Sequence, residues 1–454
     1  MLHGIRAVKR RFAPCLPTKT TAARRRSLLT LAIESSCDDT CVSILSKSTT
    51  RIQPESVQVR LLFNEKITLR NTGKGGIWPP EALNSHQLNL AKLIETSLPF
   101  LPGSDQSLPV QKRLWLRDGQ IKEKPDFVSV TRGPGMNQNL AVGLNTAKGL
   151  ATAWQVPLLG VHHMQAHALT PRLATAIKGA GQDSSQPEFP FLTLLVSGGH
   201  TMLLHSKSLL EHEILASTSD TAIGDELDKC GRMLLPAEIQ HNTPDTSFGK
   251  YLSAYAFKSS AEFNSWSVPQ NRQDEIIRPQ NSFGWSIMTP MAKNRELCFS
   301  FSGISSQIKR IVSDRHCDTS DEERTLLARA ALGTAFEHLG SRTIIALEQL
   351  RDQGLHIPTL VVSGGVAAND FLRYYLRQML DVRSFHKVNL VFPPVELCTD
   401  NAAMIAWTGV EMFEAGYRTD LGCGPLRKWS MDGQSEDGGI LGAGAWILQN
   451  PRHV

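Results

Sequence analysis

Short apolar runs, separated by polar turns and amphipathic stretches, dominate the chain from residue 28 onward. Residues 28–33 (LLTLAI) predict a buried strand, and the polar turn 34–39 followed by an apolar run at 40–45 predicts a β-hairpin. Further strands are predicted at 127–130, 157–161, 191–196, 359–362 and 388–392, and helices at 140–154, 322–349 and 370–380. Because strands and helices alternate, the pattern predicts an α/β protein. No run approaches the roughly 18 apolar residues of a membrane span, so we expect none.

One short sequence occurs twice. LVSGG at 195–199 recurs as VVSGG at 361–365, each time at the end of an apolar strand. Paired glycines allow positive φ and close approach of a ligand, and their backbone amides can bind anionic oxygen. We interpret the repeat as the mark of a duplicated lobe, with a nucleotide or acyl phosphate between the halves. The alternative for either copy is a turn that merely reverses the chain.

The length of 454 residues exceeds what one ordinary core accommodates, which favours two lobes. We assign residues 1–27 to a transit segment, 28–160 to an N-terminal lobe, 161–430 to a C-terminal lobe region and 431–454 to a C-terminal tail. Residues from about 236 to 297 form a polar stretch rich in Gln, Asn, Ser and Pro. Such a stretch is typical of an insertion or a mobile surface loop.

Basic charge is concentrated at the N-terminus. Residues 1–33 contain eight Lys and Arg residues, and the first acidic residue is Glu34. An Arg-rich segment without acids is typical of a mitochondrial transit peptide, and a disordered basic tail that contacts nucleic acid is the alternative. Without these eight charges the net charge falls from +5 to −3. Overall charge therefore says little about partners, and a nucleic-acid surface would have to be a local patch.

The eight cysteines, at positions 15, 37, 41, 230, 298, 317, 398 and 423, are scattered and form no Cys-x-x-Cys pair. This spacing supports neither a zinc ribbon nor a secreted disulfide framework. Reduced thiols in a mitochondrial matrix or cytosolic setting are the simplest interpretation.

Two histidines four residues apart, His163 and His167, stand in a stretch predicted as helix. At 3.6 residues per turn they lie about 40° apart around the axis, so both can reach one metal ion; ordinary helix histidines are the alternative. His162 lies about 140° from His167 and is expected to pack or to support a ligand. Asp400, at the expected start of a helix, is either an N-cap or a third ligand. Two histidines and a carboxylate with open positions suit one divalent ion, Fe(II) or Zn(II).

A metalloprotease is a further alternative, because the histidine pair resembles the zincin motif in outline. That motif requires Glu directly after the first His as general base, and this chain has Met164 there. We therefore set peptidase activity aside. The open metal positions suit phosphate oxygens of a bound nucleotide, where the ion would neutralise charge on the leaving group.

Carboxylates outside the histidine pair are weaker candidates. Asp38 and Asp39 lie in the predicted hairpin turn, where they could orient a metal-bound phosphate or accept a proton; an ordinary Asp-rich turn is the alternative. Asp228 and Lys229, on a predicted helix, could hold hydroxyl and amine groups of a small substrate. The alternative for this pair is a solvated charged helix face.

These motifs together resemble one family closely, the tRNA threonylcarbamoyladenosine transferases, once described as glycoproteases. The matching segments, in family order, are 33–40 (IESSCDDT), 75–77 through His86, 132–135 (RGPG), 163–167, 195–201, 224–229, 299–303 (FSFSG), 363–369 and 398–404. The resemblance is specific, because several motifs of distinct chemistry would otherwise have to coincide by chance.

The resemblance implies a duplicated, two-lobed α/β fold of the actin-like ATPase class, shared with sugar kinases and heat-shock chaperones, with the active site in the cleft between lobes. It also implies a reaction. The L-threonylcarbamoyl group of threonylcarbamoyl-AMP would pass to N6 of adenosine 37, beside the anticodon, in tRNAs that read codons beginning with adenine.

The family's functional residues map onto matching positions. The metal ligands would be His163, His167 and Asp400, and the contacts of the intermediate would be Leu195, Val196, Ser197, Gly198, Gly199, Asp228 and Asn369. Asp225 replaces the usual Glu of the helix motif, and segment 246–250 (TSFGK) stands in place of Tyr-Pro-Gly-Gly, which makes Gly249 a further contact. For proton removal from the attacking amine, Asp38 is the candidate base.

The resemblance further implies an organellar homodimer in the mitochondrial matrix that receives its intermediate from a separate synthase and acts on tRNA, without a membrane. Two rival functions stay open from the residues alone. One is an ATP-dependent kinase or chaperone-like ATPase of the same fold class, since fold does not fix function. The other is a non-catalytic subunit, which would be expected to lose metal ligands.

Overall fold

The computed structural model describes residues 26–50, 56–69, 77–104, 108–179, 186–243, 247–314 and 319–449. The strands are β1 (Arg26–Glu34), β2 (Asp39–Thr50), β3 (Ser56–Thr68), β4 (Arg113–Trp115), β5 (Ile121–Glu123), β6 (Phe127–Gly133), β7 (Leu158–His162), β8 (Phe191–Val196), β9 (Thr201–Ser206), β10 (His212–Ser217), β11 (Thr359–Ser363), β12 (Asn389–Val391), β13 (Tyr417–Thr419) and β14 (Trp446–Leu448). The predicted transit segment 1–27 lies outside the described residues except for 26 and 27, as do the last five residues of the predicted tail.

The helices are α1 (Pro79–Ser97), α2 (Asn137–Trp154), α3 (His163–Lys178), α4 (Ile223–Leu234), α5 (Ala237–Asn242), α6 (Phe248–Ala256), α7 (Ser260–Asn264), α8 (Arg272–Ile276), α9 (Ser302–Asp314), α10 (Asp321–Asp352), α11 (Asp370–Val382), α12 (Val395–Cys398), α13 (Ala402–Glu414) and α14 (Gly439–Gly442). Every strand and helix predicted from the apolar pattern is present; the ends are shifted by at most three residues, except that β2 continues five residues beyond the predicted run at 40–45. Among the described residues, no helix is long and apolar enough to cross a membrane.

The first sheet has seven strands in the order β14-β13-β7-β6-β1-β2-β3. β1 and β2 form the predicted antiparallel hairpin, β3 continues the meander, and β6 and β7 then run parallel to β1. Parallel neighbours need crossover connections, and α2 supplies the one between β6 and β7. The carboxyl ends of β1, β6 and β7 therefore meet at one edge of the sheet.

The second sheet has the order β10-β9-β8-β11-β12. In chain order it again consists of three antiparallel strands followed by two that run parallel to the first. This is the arrangement of β3, β2, β1, β6 and β7 in the first sheet. The shared strand order confirms the prediction of an α/β protein built from two related lobes.

The repeated diglycine sequence does not mark this duplication. Both copies lie in the second sheet, where β8 and β11 are parallel neighbours and Leu195 pairs with Ser363. Gly364, in the second copy, has φ +101° and packs against the backbone of Val196 in the first. The interpretation of one copy per lobe is therefore wrong. The two turns share a sheet edge because adjacent parallel strands end together.

Two helices lie between the sheets and join the lobes. α13 packs on α3, β1, β2 and β6, and α3 also contacts β7, β8 and β11. One apolar cluster contains Ala32 and Phe127 of the first sheet, Phe191 and Val361 of the second, and residues of both helices. The chain after residue 402 thus returns to the first sheet, which β13 and β14 extend. The lobe boundaries at 160 and 430 stay a prediction.

The polar stretch at about 236–297 is packed against the second lobe. In its described part, Phe263, Val268 and Trp285 are buried in the same apolar cluster as α10. Glu275 is fully buried and accepts hydrogen bonds from Arg272 and, at 2.8 Å, from Arg383. A buried carboxylate that loses its partners is costly, so these contacts hold the segment in place. The interpretation as a mobile surface loop is therefore wrong here.

We expect Gly364→Ala to lower the melting temperature. At φ +101° and ψ 167° the backbone occupies a region that is essentially restricted to glycine, and an added Cβ would overlap the Val196 carbonyl oxygen. The cost is about 1–3 kcal/mol. Thermal unfolding followed by circular dichroism measures it. As a control, Gly149→Ala on α2, where a Cβ meets open space, should leave the melting temperature unchanged or higher; equal effects of the two variants would contradict the prediction.

Candidate metal centre

Three side chains predicted as metal ligands lie together between the sheets. α3 begins at His163, directly after β7, and Asp400 lies in the short segment between α12 and α13. His167 Nε2 is 3.0 Å from Asp400 Oδ1, and His163 Nε2 is 3.6 Å from the same oxygen. The candidate ligand atoms all lie within 4.8 Å of one another. His163 and Asp400 are 237 residues apart in sequence, so the start of α3 and the segment before α13 bring two nitrogen donors and one oxygen donor to one point.

The donor set fits a divalent cation. Both imidazoles are buried, whereas the Asp400 side chain is 25% exposed. One side of the candidate site is therefore open to further ligands. His167 Nδ1 is buried and has no hydrogen-bond partner among the described residues. The nitrogen that faces Asp400 is Nε2, so the fit to a cation rests on the donor set itself, two imidazole nitrogens and one carboxylate oxygen around one point. The set of two histidines and one carboxylate suits Fe(II) or Zn(II).

His162 has a structural role beside the ligands. Its Nδ1 accepts hydrogen bonds from the backbone of Met164 (3.1 Å) and Gln165 (3.3 Å), so it caps the N-terminus of α3. Its Nε2 donates to the Trp429 carbonyl oxygen at 3.0 Å. Burial lowers the pKa of His162 to about 3, which keeps the ring neutral and able to accept. The cap fixes the direction in which α3 presents His163.

A buried carboxylate orients His163. Glu34, the last residue of β1, is 0% exposed and accepts a hydrogen bond from His163 Nδ1 at 3.2 Å. It also accepts from the Ser36 backbone N–H (2.6 Å) and from the Thr131 hydroxyl. Burial alone would raise the pKa of Glu34, but the charge and hydrogen bond of His163 outweigh it and lower the pKa. With Nδ1–H held by Glu34, His163 Nε2 faces Asp400.

The two histidine–carboxylate contacts also change the charge of His163. Burial alone would lower its pKa, but Glu34 and Asp400 raise it to about 9. Burial alone would raise the pKa of Asp400, but the charge of His163 and the hydrogen bond and charge of His167 hold it well below its usual range. A cation bound at Nε2 would take the place of the proton there, because metal-ligating imidazole is neutral.

Asp38, in the turn between β1 and β2, and Asp39, the first residue of β2, have different environments. Burial raises the pKa of half-buried Asp38 to about 6, with further contributions from the negative charges of Asp39 and Asp400. Asp39 is an ion-pair partner of Lys66, whose Nζ lies 2.7 Å from Asp39 Oδ2. Lys66 also donates to Thr399 Oγ1 at 3.1 Å, beside Asp400. Asp39 and Lys66 thus tie the turn to the ligand segment, and Asp38 is left as the candidate base.

The first diglycine turn connects β8 to β9 beside the histidines. Leu195 and Val196 are buried, so only their backbone is available to a ligand. The Ser197 hydroxyl accepts from the backbone N–H groups of Gly199 (3.3 Å) and His200 (3.0 Å). The Gly198 N–H has no hydrogen-bond partner among the described residues, and the residue is exposed. Of the turn's glycine amides, the Gly198 amide is therefore the one free to bind an anionic oxygen.

The remaining predicted substrate contacts border this turn. The N–H of Gly224, in the first turn of α4, donates to the Ser197 carbonyl oxygen at 3.1 Å, and Asp228 follows one turn along α4. Asp228 Oδ1 accepts the Gly249 N–H at 2.6 Å, so these two predicted contacts lie together although 21 residues separate them. Asn369 caps α11 by accepting from the Phe371 and Leu372 N–H groups at 3.0 and 3.2 Å.

Three residues near the centre received no role from the sequence: Glu34, Lys66 and His200. The His200 residue is exposed. Desolvation of its ring by neighbouring protein atoms, together with the positive charges of His163 and His167, lowers its pKa to about 4. For Glu34 a signal existed, since an acidic residue at the carboxyl end of a buried strand of an α/β sheet stands where ligands bind. Lys66 and His200 offer no comparable signal. Lys66 reaches Asp39 through the pairing of β2 with β3, and its contact with Thr399 and the position of His200 arise from tertiary packing.

Comparison with known proteins identifies the family. A family model described as tRNA N6-adenosine threonylcarbamoyltransferase matches residues 105–407. The chain is 36% identical to the mitochondrial tRNA N6-adenosine threonylcarbamoyltransferase of Schizosaccharomyces pombe, over 97% of this chain and 94% of that protein. The chain belongs to the tRNA N6-adenosine threonylcarbamoyltransferase family. The protein named as mitochondrial in Danio rerio is 30% identical over 94% of this chain and 96% of its own length, and that of Rhizobium meliloti 31% over 91% and 98%.

Membership of the threonylcarbamoyltransferase family, together with the duplicated strand order, confirms the predicted fold class of two actin-like lobes. The relatives are named as threonylcarbamoyltransferases, which makes the chain a transferase, and none of the reported relatives is named as an ATP-dependent kinase or a chaperone-like ATPase. His163, His167 and Asp400 are the residues through which this family member would hold a cation, and Glu34 orients His163.

We expect Glu34→Gln to weaken metal binding about 10–100-fold, because the imidazole of His163 loses the carboxylate that orients it. Metal content after dialysis against a series of Zn²⁺ or Fe²⁺ buffers measures the affinity directly. Glu396→Gln is the matched control, since Glu396 is exposed and lies four residues before Asp400 in sequence. Equal metal content in the Glu34 variant and the control would contradict the orienting role.

Proposed function

We propose that this protein transfers the L-threonylcarbamoyl group from threonylcarbamoyl-AMP to N6 of adenosine 37 in tRNAs that read codons beginning with adenine, in the mitochondrial matrix. The observation that carries the proposal is the convergence of His163, His167 and Asp400 beside the diglycine turn of a chain in this transferase family. A kinase of the same fold class would not need this ligand set. A non-catalytic subunit would not be expected to keep it.

The reaction moves an acyl group from a phosphate oxygen to an aromatic amine. N6 attacks the carbamoyl carbon, the bond from that carbon to the phosphate oxygen breaks, AMP leaves, and N6 loses a proton. When bound, the divalent cation supplies positive charge that stabilises the departing phosphate. The Gly198 N–H would bind a phosphate oxygen next to it, because it is the turn's unoccupied donor. The backbone of Leu195 and Val196 and the side chain of Ser197 would line the site beside this phosphate.

The far end of the substrate would be held by α4. Asp228 projects from this helix beside Gly249, and its carboxylate would accept hydrogen bonds from the hydroxyl or amide groups of the substrate. Asn369, at the start of α11, would contribute its amide. These roles follow from the family resemblance and from the contact between Asp228 and Gly249.

Asp38 would remove the proton from N6. Its pKa, raised to about 6 by burial, lies close to the working pH, which suits a general base. Unlike Asp39, it is not held by Lys66, so its carboxylate remains available. The attacking amine is a weak nucleophile, and removal of its proton as the new bond forms would prevent return of the intermediate.

The biological setting follows the family. Relatives from Schizosaccharomyces pombe and Danio rerio carry mitochondrial names, and residues 1–33 have the composition of a transit peptide. We propose that a transit segment at residues 1–27 directs the chain to the matrix. There it would act as a homodimer on tRNA, with threonylcarbamoyl-AMP delivered by a separate synthase.

Reconstitution tests the proposed reaction. Purified protein loaded with Zn²⁺ or Fe²⁺ should convert adenosine 37 of an unmodified mitochondrial tRNA when threonylcarbamoyl-AMP is supplied, as measured by mass spectrometry of nucleosides. We expect His163→Ala to lose bound metal and at least about 100-fold in rate, because one of three ligands is absent. The helix histidine His241, exposed on α5, provides the control His241→Ala. Full transfer by the His163 variant would exclude the proposed centre.

The pH dependence tests Asp38. Protonation removes its ability to accept a proton, so the transfer rate should fall as the pH drops through a midpoint at or below about 6. A bound cation would offset the contribution of Asp400 to this pKa, which places the midpoint below 6 rather than above it. Asp38→Asn should be slow at every pH. An unchanged rate in this variant, measured with purified tRNA, would eliminate Asp38 as the base.

A further inference from the structure

We infer that Arg427 and Lys428 bind the phosphate backbone of the tRNA anticodon arm at the rim of the metal centre. The inference rests on the proposed function, and it adds a surface that places the target adenosine. Both residues lie between β13 and β14, in the segment that returns to the first lobe. Both are exposed, and neither side chain has a hydrogen bond or ion pair among the described residues.

Backbone contacts attach this pair to the site on one side. The Arg427 carbonyl oxygen accepts the Gly135 N–H at 3.3 Å. Gly135 in turn packs so closely on Ser36 that an added Cβ would lie 2.8 Å from the Ser36 carbonyl oxygen, and the Met136 N–H donates to that oxygen at 2.8 Å. Ser36 stands beside both Glu34 and His163. Two residues, Gly135 and Ser36, therefore lie between Arg427 and the candidate metal ligand His163.

The other side of the pair is attached just as closely. Trp429, the next residue, accepts a hydrogen bond from His162 at its carbonyl oxygen, and its ring lies 4.6 Å from the His162 ring. On the N-terminal side, the Leu426 N–H donates to the Arg132 carbonyl oxygen at 2.8 Å, and Leu426 leaves no room for a Cβ at Gly133. Both ends of the basic pair are thus held, while its side chains face solvent.

The charge and position of the pair fit a polyanion. Two unpaired cations on a fixed backbone attract phosphate groups, and phosphate contacts determine the position of a nucleic acid without reading its sequence. The nearby carboxylates Asp420 and Asp432 accept backbone N–H groups of Gly422 and Ile214, at 2.7 and 3.0 Å. They therefore have partners of their own. A nucleotide presented to the metal centre would have its flanking phosphates within reach of this rim.

A second basic pair in the chain serves as a comparison. Lys309 and Arg310 are also exposed and without side-chain partners among the described residues. They lie on α9, which packs against α4 and α10 in the second lobe. No contact of the kind that joins residues 426–429 to the ligands connects them to α3 or Asp400 in the described part of the chain. The two basic pairs carry the same charge, so only their position in the fold distinguishes them.

Salt-dependent tRNA binding tests the inference. For metal-loaded protein, binding of an unmodified fluorescent tRNA is measured by anisotropy at several salt concentrations. The double variant Arg427→Ser/Lys428→Ser should reduce the slope of log K against log salt by about 2, and weaken binding about tenfold at moderate salt. The KM for tRNA should rise similarly, with the KM for threonylcarbamoyl-AMP and the metal content unchanged. The charge-preserving variant Arg427→Lys/Lys428→Arg should keep the wild-type slope.

The control is Lys309→Ser/Arg310→Ser, for which we expect the wild-type slope. An unchanged slope in the Arg427/Lys428 variant, or equal losses in both double variants, would overturn the inference, because rim position would then have no effect. The metal content of each variant shows whether its metal centre is intact. A folding defect would lower the metal content and is therefore distinguished from a loss of tRNA contacts. If wild-type protein makes no modified adenosine, the proposed function fails, whereas the binding slopes still decide whether this pair contacts tRNA.

Discussion

The contact between the Glu34 carboxylate and the His163 imidazole is the interaction on which the centre depends. Burying an isolated carboxylate is prohibitively costly, and this one is tolerated because it accepts from His163, Ser36 and Thr131. The contact joins the end of β1 to the start of α3. It determines which imidazole nitrogen faces Asp400, so the folding of the first sheet and the chemistry of the site are coupled through one hydrogen bond.

The second constraint is the packing of two helices between two sheets. α3 carries both histidines, and Asp400 lies directly before α13. Since α3 and α13 pack on each other within a core that includes both sheets, the separation of the ligands is set by dense apolar packing. Lys66 reinforces this arrangement from β3 through its contacts with Asp39 and Thr399. Changes in that core, far from the ligands, would alter the geometry of the centre.

The second lobe contributes the complementary half of the site. The turns after β8 and β11 meet at one sheet edge, and an added Cβ at Gly365 would lie 3.8 Å from Thr399, the neighbour of Asp400. The exposed Gly198 N–H lies in the turn after β8, which contacts α4 through Gly224, and Asp228 of that helix accepts the Gly249 N–H. The proposed site thus lies between the two sheets, where α3 and the segment before α13 carry the candidate cation ligands and the turn after β8 carries the amide proposed to bind an anion.

Local signals in the sequence determined the main strands and helices, the histidine pair at one helix turn and the family. Those signals act over a few residues, through apolar periodicity, i, i+4 spacing and glycine turns. Tertiary structure decided the rest: both diglycine copies belong to one sheet, the 236–297 segment is packed through Glu275 and Trp285, and Glu34, Lys66 and His200 surround the ligands. The physical reason is that burial and the partners of a charge depend on residues brought together from distant positions, and no local pattern records that proximity.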